Sequence, residues 1–301
     1  MFFSLPDTLF VQVLDYAIPL VPEIRQEFAD VSLYSFSYNP MAFFYFKHHQ
    51  LPLSQLSTSL LSEQTNDEIV SYLVEHSTFI DMDVFCKNPH PKAVHYMMTI
   101  GRAYLHWSFL SQNTNDDVIR YLLDHPRMIN WREFSANPND IAVTYLLEHS
   151  KHIYWEAFSQ NTNTKAIAYL LDHPQYITWK YFCKHNDDRV ANYLLEHTSL
   201  LHTLLHFVSE NPHDDIVMYV LEHNCMALYP FSRNTNPRAV EWLLQHSNVM
   251  PPEIYQHPDV RIFTNLLSTN LSNRTKLVHH PHVFYYTKHT QEYEWYQAIL
   301  S

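Results

Sequence analysis

Asn137-Pro138-Asn139-Asp140-Ile141-Ala142-Val143-Thr144-Tyr145-Leu146-Leu147-Glu148-His149 decides the fold. Ile141, Ala142, Val143, Tyr145, Leu146 and Leu147 place apolar side chains at helical spacing, mostly i, i+3 and i+4. Asn or Asp opens the run as a cap, and an acidic residue suits the first turn. Asn236-Pro237 makes the same start elsewhere, with Pro at the first helical position. His149 falls in the last turn, and Ser150 follows it where Pro126, Pro174 and Thr198 follow its counterparts. Such residues stop a helix, so the segment reads as one helix of about three turns.

Outward from this segment the same text returns. Tyr121-Leu122-Leu123-Asp124-His125, Tyr169-Leu170-Leu171-Asp172-His173 and Tyr193-Leu194-Leu195-Glu196-His197 repeat Tyr145-Leu146-Leu147-Glu148-His149 at 24-residue steps. The anchors extend to Tyr45, Tyr72 and Tyr96 upstream and to Tyr219 and Trp242 downstream. Their successive spacings are 27, 24, 25, 24, 24, 24, 26 and 23. Slips of one to three residues fit loops between fixed helical units.

A second, shorter helix lies between the anchors. Ile153-Tyr154-Trp155-Glu156-Ala157-Phe158-Ser159 matches Ile129-Asn130-Trp131-Arg132-Glu133-Phe134-Ser135 and Ile177-Thr178-Trp179-Lys180-Tyr181-Phe182-Cys183. Trp and Phe three apart share one helical face. Asn130 and Thr178 stand where a cap belongs, and Glu133 is placed to close a capping box with Asn130. Asn137, Asn161, Asn211 and Asn234 recur just after this helix. Asn tolerates left-handed backbone, so these residues are expected to act as C-caps in place of glycine. One pair of short helices cannot bury its Leu, Ile, Trp and Phe, but stacked pairs share a continuous core. The predicted fold is all-α: a solenoid of about nine two-helix repeats over 39–250. A helical cap is expected over 1–38, and a degenerate repeat with a closing helix over 251–301.

Composition narrows the function. The chain has one glycine, Gly101, among 301 residues. Phosphate-cradling loops, dinucleotide-binding turns and nucleophile elbows all use glycine for positive φ or close backbone approach. No cofactor and no catalytic residue is therefore expected. Formal charge is −12, which disfavours a phosphate backbone as partner. Cys86, Cys183 and Cys225 are scattered and odd in number, as in a reducing, intracellular compartment. The N-terminus has no basic region before an apolar stretch, and no segment has the length of a membrane span.

The string Ile129-x-Trp131-x-x-Phe134-Ser135-x-Asn137-Pro138-Asn139, running into Ala142-Val143-x-Tyr145-Leu146-Leu147-Glu148-His149, resembles a short helical repeat. That repeat is abundant in proteins of the large nucleocytoplasmic DNA viruses. The likeness covers about residues 39–250. It departs in having Phe where Leu is usual, Tyr at the helix anchor and a slightly longer period. The resemblance implies a viral origin and a structural or protein-interaction role, and it transfers no catalytic residue. Leu5-Pro6-Asp7-x-Leu9, with Val13-Leu14-Asp15-Tyr16, is similar to the start of an F-box, the helical module that docks an adaptor of ubiquitin ligases. This implies an alternative function as a substrate adaptor, although the later part of an F-box is not recognisable.

Several side-chain sets invite chemistry. His76, His125, His149, His173, His197, His223 and His246 share one repeat position, where an imidazole bonds the last carbonyls of a helix. Equivalent ligands on packed helices stand about 10 Å apart, too far to share an ion, so no metal is expected. His279-His280-x-His282 is the alternative zinc candidate, but it lacks the spaced pairs of a structural site. Glu75, Asp124, Glu148, Asp172, Glu196 and Glu222 precede most of the repeated histidines. They are either a solvated face or acceptors for an N–H of the next unit. Cys86 and Cys183 fill the slot of Ser111, Ser135 and Ser159, where a small residue is wanted. The Tyr, Trp and Phe stripes are expected in the core in preference to a base-stacking platform. Tyr293, Tyr296, Ile299 and Leu300 have helical spacing, as in a closing helix or a docking arm.

The expected function is a non-enzymatic scaffold for protein–protein interaction, with an unspecified protein partner, no nucleic acid, no membrane and no fixed oligomeric state. Its binding residues are sought among exposed side chains one place before the anchors: Arg120, Thr144, Asn192 and Met218.

Overall fold

A computed structural model describes residues 20–24, 39, 42–246, 254, 257–269 and 284–288. The chain divides into two compact units, Thr58–Leu271 and a second made of Met1–Ser57 with Ser272–Ser301. The array expected to begin at 39 thus begins at Thr58. The helix Ala42–His48, which carries Tyr45, belongs to the other unit.

Thr58–Leu271 is an all-α helical repeat. Between Thr58 and Gln245 eight short helices alternate with eight long ones, with one further helix, Thr198–Thr203, in a linker; Trp131–Ala136 with Asp140–Glu148 and Trp155–Phe158 with Thr164–Asp172 are typical. Seven of the eight long helices are followed within two residues by His, the exception being Pro91–Thr99, and five linkers hold one turn of 3-10 helix such as Ser150–His152. Five of the eight short helices bury one ring completely (Phe85, Phe134, Phe158, Phe182 or Phe231), and the other three bury Leu61, Leu110 or Val208. The long helix buries a triplet such as Ala142, Val143 and Leu146, each at 0% exposure. A four-residue helix has no stability in isolation, and it persists here because neighbouring units cover both its sides.

The polar repeat residues explain the stacking. Asn161 is fully buried, and its Nδ2 donates to Ser135 O at 3.0 Å and Asn137 O at 2.7 Å in the preceding unit. Its Oδ1 accepts from Asn163 N at 2.9 Å. Asn88, Asn113, Asn137, Asn211 and Asn234 make the same double donation to the unit before them. The expected left-handed C-cap is therefore corrected. Asn137 has φ −71 and ψ 120, and its amide is used to satisfy buried backbone carbonyls that a glycine would leave bare.

Serine forms a parallel ladder. Ser135 Oγ donates back to Trp131 O at 2.7 Å and accepts Tyr154 N–H of the next unit at 3.0 Å. Ser111 and Ser159 do the same toward Asn130 and Thr178. This corrects the capping box: Asn130 caps its helix through Arg132 N and Glu133 N, but its own N–H is already held by Ser111 Oγ. Thr178 makes no side-chain cap. A third ladder runs along the long-helix starts, where the cap Asn163 donates to Asp140 Oδ1 at 2.6 Å and Asn139 to Asp116 Oδ1 at 2.7 Å.

The aromatic stripes split into two layers, which corrects their assignment to the core as one set. The Phe rings are enclosed. Trp107, Trp131, Trp155, Trp179 and all eight anchors from Tyr72 to Trp242 are only half-buried. Trp131 stacks on Tyr145 at 6.0 Å, and Tyr145 stacks on His149 at 4.1 Å. The polar ends of Trp and Tyr keep these rings at the boundary with water.

In the other unit, Leu20–Ile24 and Phe284–Lys288 are strands, paired antiparallel with Leu20 opposite Lys288 and Ile24 opposite Phe284. The helical caps expected over 1–38 and 251–301 are corrected at these residues. Phe284-Tyr285-Tyr286-Thr287 and Val21 favour extended backbone, and Pro22 is tolerated at a strand edge. The F-box-like segment, the His279-His280-x-His282 cluster and the tail from His289 lie outside the described residues. His257-Pro258-Asp259-Val260 does open a further helix, Val260–Thr269.

Candidate interaction surface

The repeated histidines are structural. All seven have Nδ1 within 2.8–3.0 Å of the carbonyl of their anchor, from His76 on Tyr72 O to His246 on Trp242 O. Each ring also lies 4.0–4.6 Å from its anchor ring. The bond requires the proton on Nδ1, and it adds a second donor to a last-turn carbonyl that, in all but the Tyr121–His125 pair, already accepts the backbone N–H of the same histidine. Among the described residues no three His, Cys, Asp or Glu side chains gather as a metal site.

Cys86 and Cys183 are buried repeat residues, and Cys225 is half-buried. Burial pushes the Cys183 thiol up to about 12 and raises that of Cys86. A thiol held protonated is a poor nucleophile.

The carboxylates before the histidines behave otherwise. Glu75, Asp124, Glu148, Asp172, Glu196 and Glu222 are all exposed, and among the described residues they accept no hydrogen bond from a neighbouring unit. The second reading given above, acceptors for the next unit, is corrected in favour of a solvated face. At the long-helix starts the N–H groups are taken by the cap side chains, as Asn139 Oδ1 takes Ile141 N–H and Ala142 N–H, and Ser Oγ takes the N–H before the short helices.

The first acidic residue of the long helices is used differently. Asp140 accepts from Asn163 and lies 3.5 Å from Lys165 Nζ, and the Asn163 bond first, then Lys165, holds its carboxyl below the usual range. Lys92 likewise reaches Asp67 at 2.9 Å and Ser71 Oγ at 2.7 Å, and lowers the Asp67 carboxyl.

Between adjacent long helices these groups border open grooves. One, of about 380 Å3, is lined by Leu123, Asp140, Ile141, Thr144, Tyr145, Glu148 and Lys165. A second, of about 420 Å3, is lined by Ser71, Val74, Glu75, Pro91, Lys92 and His95. Ser71, Glu75 and Lys92 stand at the repeat positions of Thr144, Glu148 and Lys165, so the two grooves are one motif seen twice. Each has a small hydroxyl residue, a bare carboxylate and a lysine already bound to the preceding unit.

Of the residues singled out by position, Thr144 lies in a groove and accepts from Lys165 Nζ at 3.3 Å. Arg120 is exposed but folded onto its own helix, 3.6 Å from Asp116 and 3.3 Å from Asp117. Asn192 is exposed, and Met218 is half-buried. The structure brings none of these four together. Sequence reasoning missed Lys92 and Lys165. Their signal is a lysine 25 residues after an aspartate at the preceding helix start, Asp67 to Lys92 and Asp140 to Lys165.

No helix of the described residues is long and apolar enough to cross a membrane. The chain matches no protein-family model, no curated protein and no solved structure.

Proposed function

We propose that the chain is a non-enzymatic repeat scaffold that holds another protein, of viral origin by its resemblance, along the exposed face of its long helices. One observation supports this above the others. The recurring polar residues at the unit junctions are bonded into the array, but the recurring carboxylates from Glu75 to Glu222 are exposed and, among the described residues, bonded to nothing within it. Such acids at the C-terminal turn oppose the helix dipole, and like charges in register repel. They contribute nothing to stacking and suit an external cationic surface. The grooves beside Glu75 and Glu148 offer apolar walls for the stems of lysine or arginine side chains.

Affinity purification from infected cells tests the reading, with the parent chain and with a Glu148→Gln, Asp172→Asn, Glu196→Gln variant as baits. The expected result is a partner that crosslinks to the long-helix face of the parent, is released by salt and is lost with the variant, while melting is unchanged. Identical partner sets for both baits would remove the reading.

A further inference from the structure

The asparagine ladder is interrupted by histidine. His185 stands 24 residues after Asn161 and is 8% exposed. An asparagine there would donate twice. His185 donates once, from Nε2 to Ser159 O at 3.0 Å, and no protein group of the described residues takes up the bond to Asn161 O. The serine slot beside it is also altered, holding Cys183. At other junctions the residue before the short helix gives its N–H to that slot, as Tyr154 does to Ser135 at 3.0 Å. Here the equivalent Leu204 N–H turns to Leu200 O and Leu201 O, each at 3.0 Å. The linker is an α-helix, Thr198–Thr203, and Leu205 stands where Trp107, Trp131, Trp155 and Trp179 stack on the anchor, as Met82 and Leu228 do in two other units. Three bonding devices of the array therefore thin out at one junction.

We propose that this junction is an acid-sensitive joint, at which protonation of His185 loosens the stacking of the units before and after it. The Nε2–H donation leaves the lone pair on Nδ1, so a second proton places a charge inside the ladder. The groups around the ring offer it little compensation. Asp187 is the acid that acts on it, and Arg189 holds that carboxylate at 2.7 Å. Glu210 of the following unit is bound by Lys184 and lies 3.5 Å from Arg233. Asp188 points to His213 at 2.9 Å. The short helix contributes the Phe182 ring, edge-on at 5.3 Å. The preceding unit contributes Ser159 O, 3.0 Å from Nε2.

Burial, the largest influence, pulls the His185 imidazole below its ordinary value, against smaller opposing effects of Ser159 O and Asp187. A histidine depressed in the stacked state stabilises it fully above the ordinary imidazole range. That stabilisation is lost as pH falls toward the depressed value, because the open state binds the proton first.

The test is amide hydrogen exchange of the full chain near pH 7.5 and near pH 5.5, corrected for intrinsic rates, for the parent and for H185N. In the parent, acid should raise opening at 183–211 by up to about tenfold, the limit for an ordinary imidazole of pKa ~6.5 in the open state. Opening at 113–137 should not change. H185N restores the usual rung and should abolish the effect, and N137H should create one at 113–137. Equal acid response in the parent and H185N, or none in the parent, would overturn the proposal. If H185N does not fold, the parent alone decides by NMR titration: a His185 ring that titrates at or above the ordinary value refutes it.

Discussion

The turn edge of the array and the exposed face of its long helices carry equally regular sequence, yet physics uses them oppositely. At the turn edge Asn161, Ser135 and their counterparts are buried and bonded across units. On the long-helix face Glu148, Asp172 and Glu196 repeat as faithfully and, among the described residues, bond to nothing. Periodicity alone therefore does not separate scaffold from surface. Burial with a bonded partner does.

The comparison can be broken by substitution. The largest loss is expected from Asn161→Ala, which strands two buried carbonyls and the Asn163 N–H. At about 1–3 kcal/mol for a stranded group, partly relieved by water, the cost should be about 3 kcal/mol, read by urea unfolding. Ser135→Ala strands only Tyr154 N–H and should cost about 1–2 kcal/mol. Ser135→Cys should cost less, since Cys86 and Cys183 occupy this slot. His149→Ala removes one carbonyl bond and one ring stack, for about 1 kcal/mol in thermal melts. Glu148→Gln and Asp172→Asn should fall within about 0.5 kcal/mol. A destabilisation above that by either would show that these carboxylates bond inside the array after all.

The long helices were readable because Asn139, Asp140 and the apolar triplet announce start, face and period together. The histidine role was readable because a last-turn imidazole has one nearby acceptor, the carbonyl four residues back. The asparagine ladder was visible as a repeat and misread as local, because its partners Ser135 O and Asn137 O are 26 and 24 residues away from Asn161. Local propensity favours a left-handed cap for asparagine, and a burial requirement set by the neighbouring unit overrides it. The strands Leu20–Ile24 and Phe284–Lys288 were missed for a related reason. Each is five residues long and extended through a partner more than 250 positions away. The candidate surface was half legible: position −1 to the anchor finds Thr144, but only the cross-unit pairs reveal Lys92 and Lys165.

The account rests on buried asparagine amides tying unit to unit, and side-chain hydrogen exchange reads them directly. The Nδ2 hydrogens of Asn113, Asn137, Asn161, Asn211 and Asn234 should exchange far more slowly than those of exposed Asn192. Uniformly fast exchange, with the ladder amides matching Asn192, would contradict it.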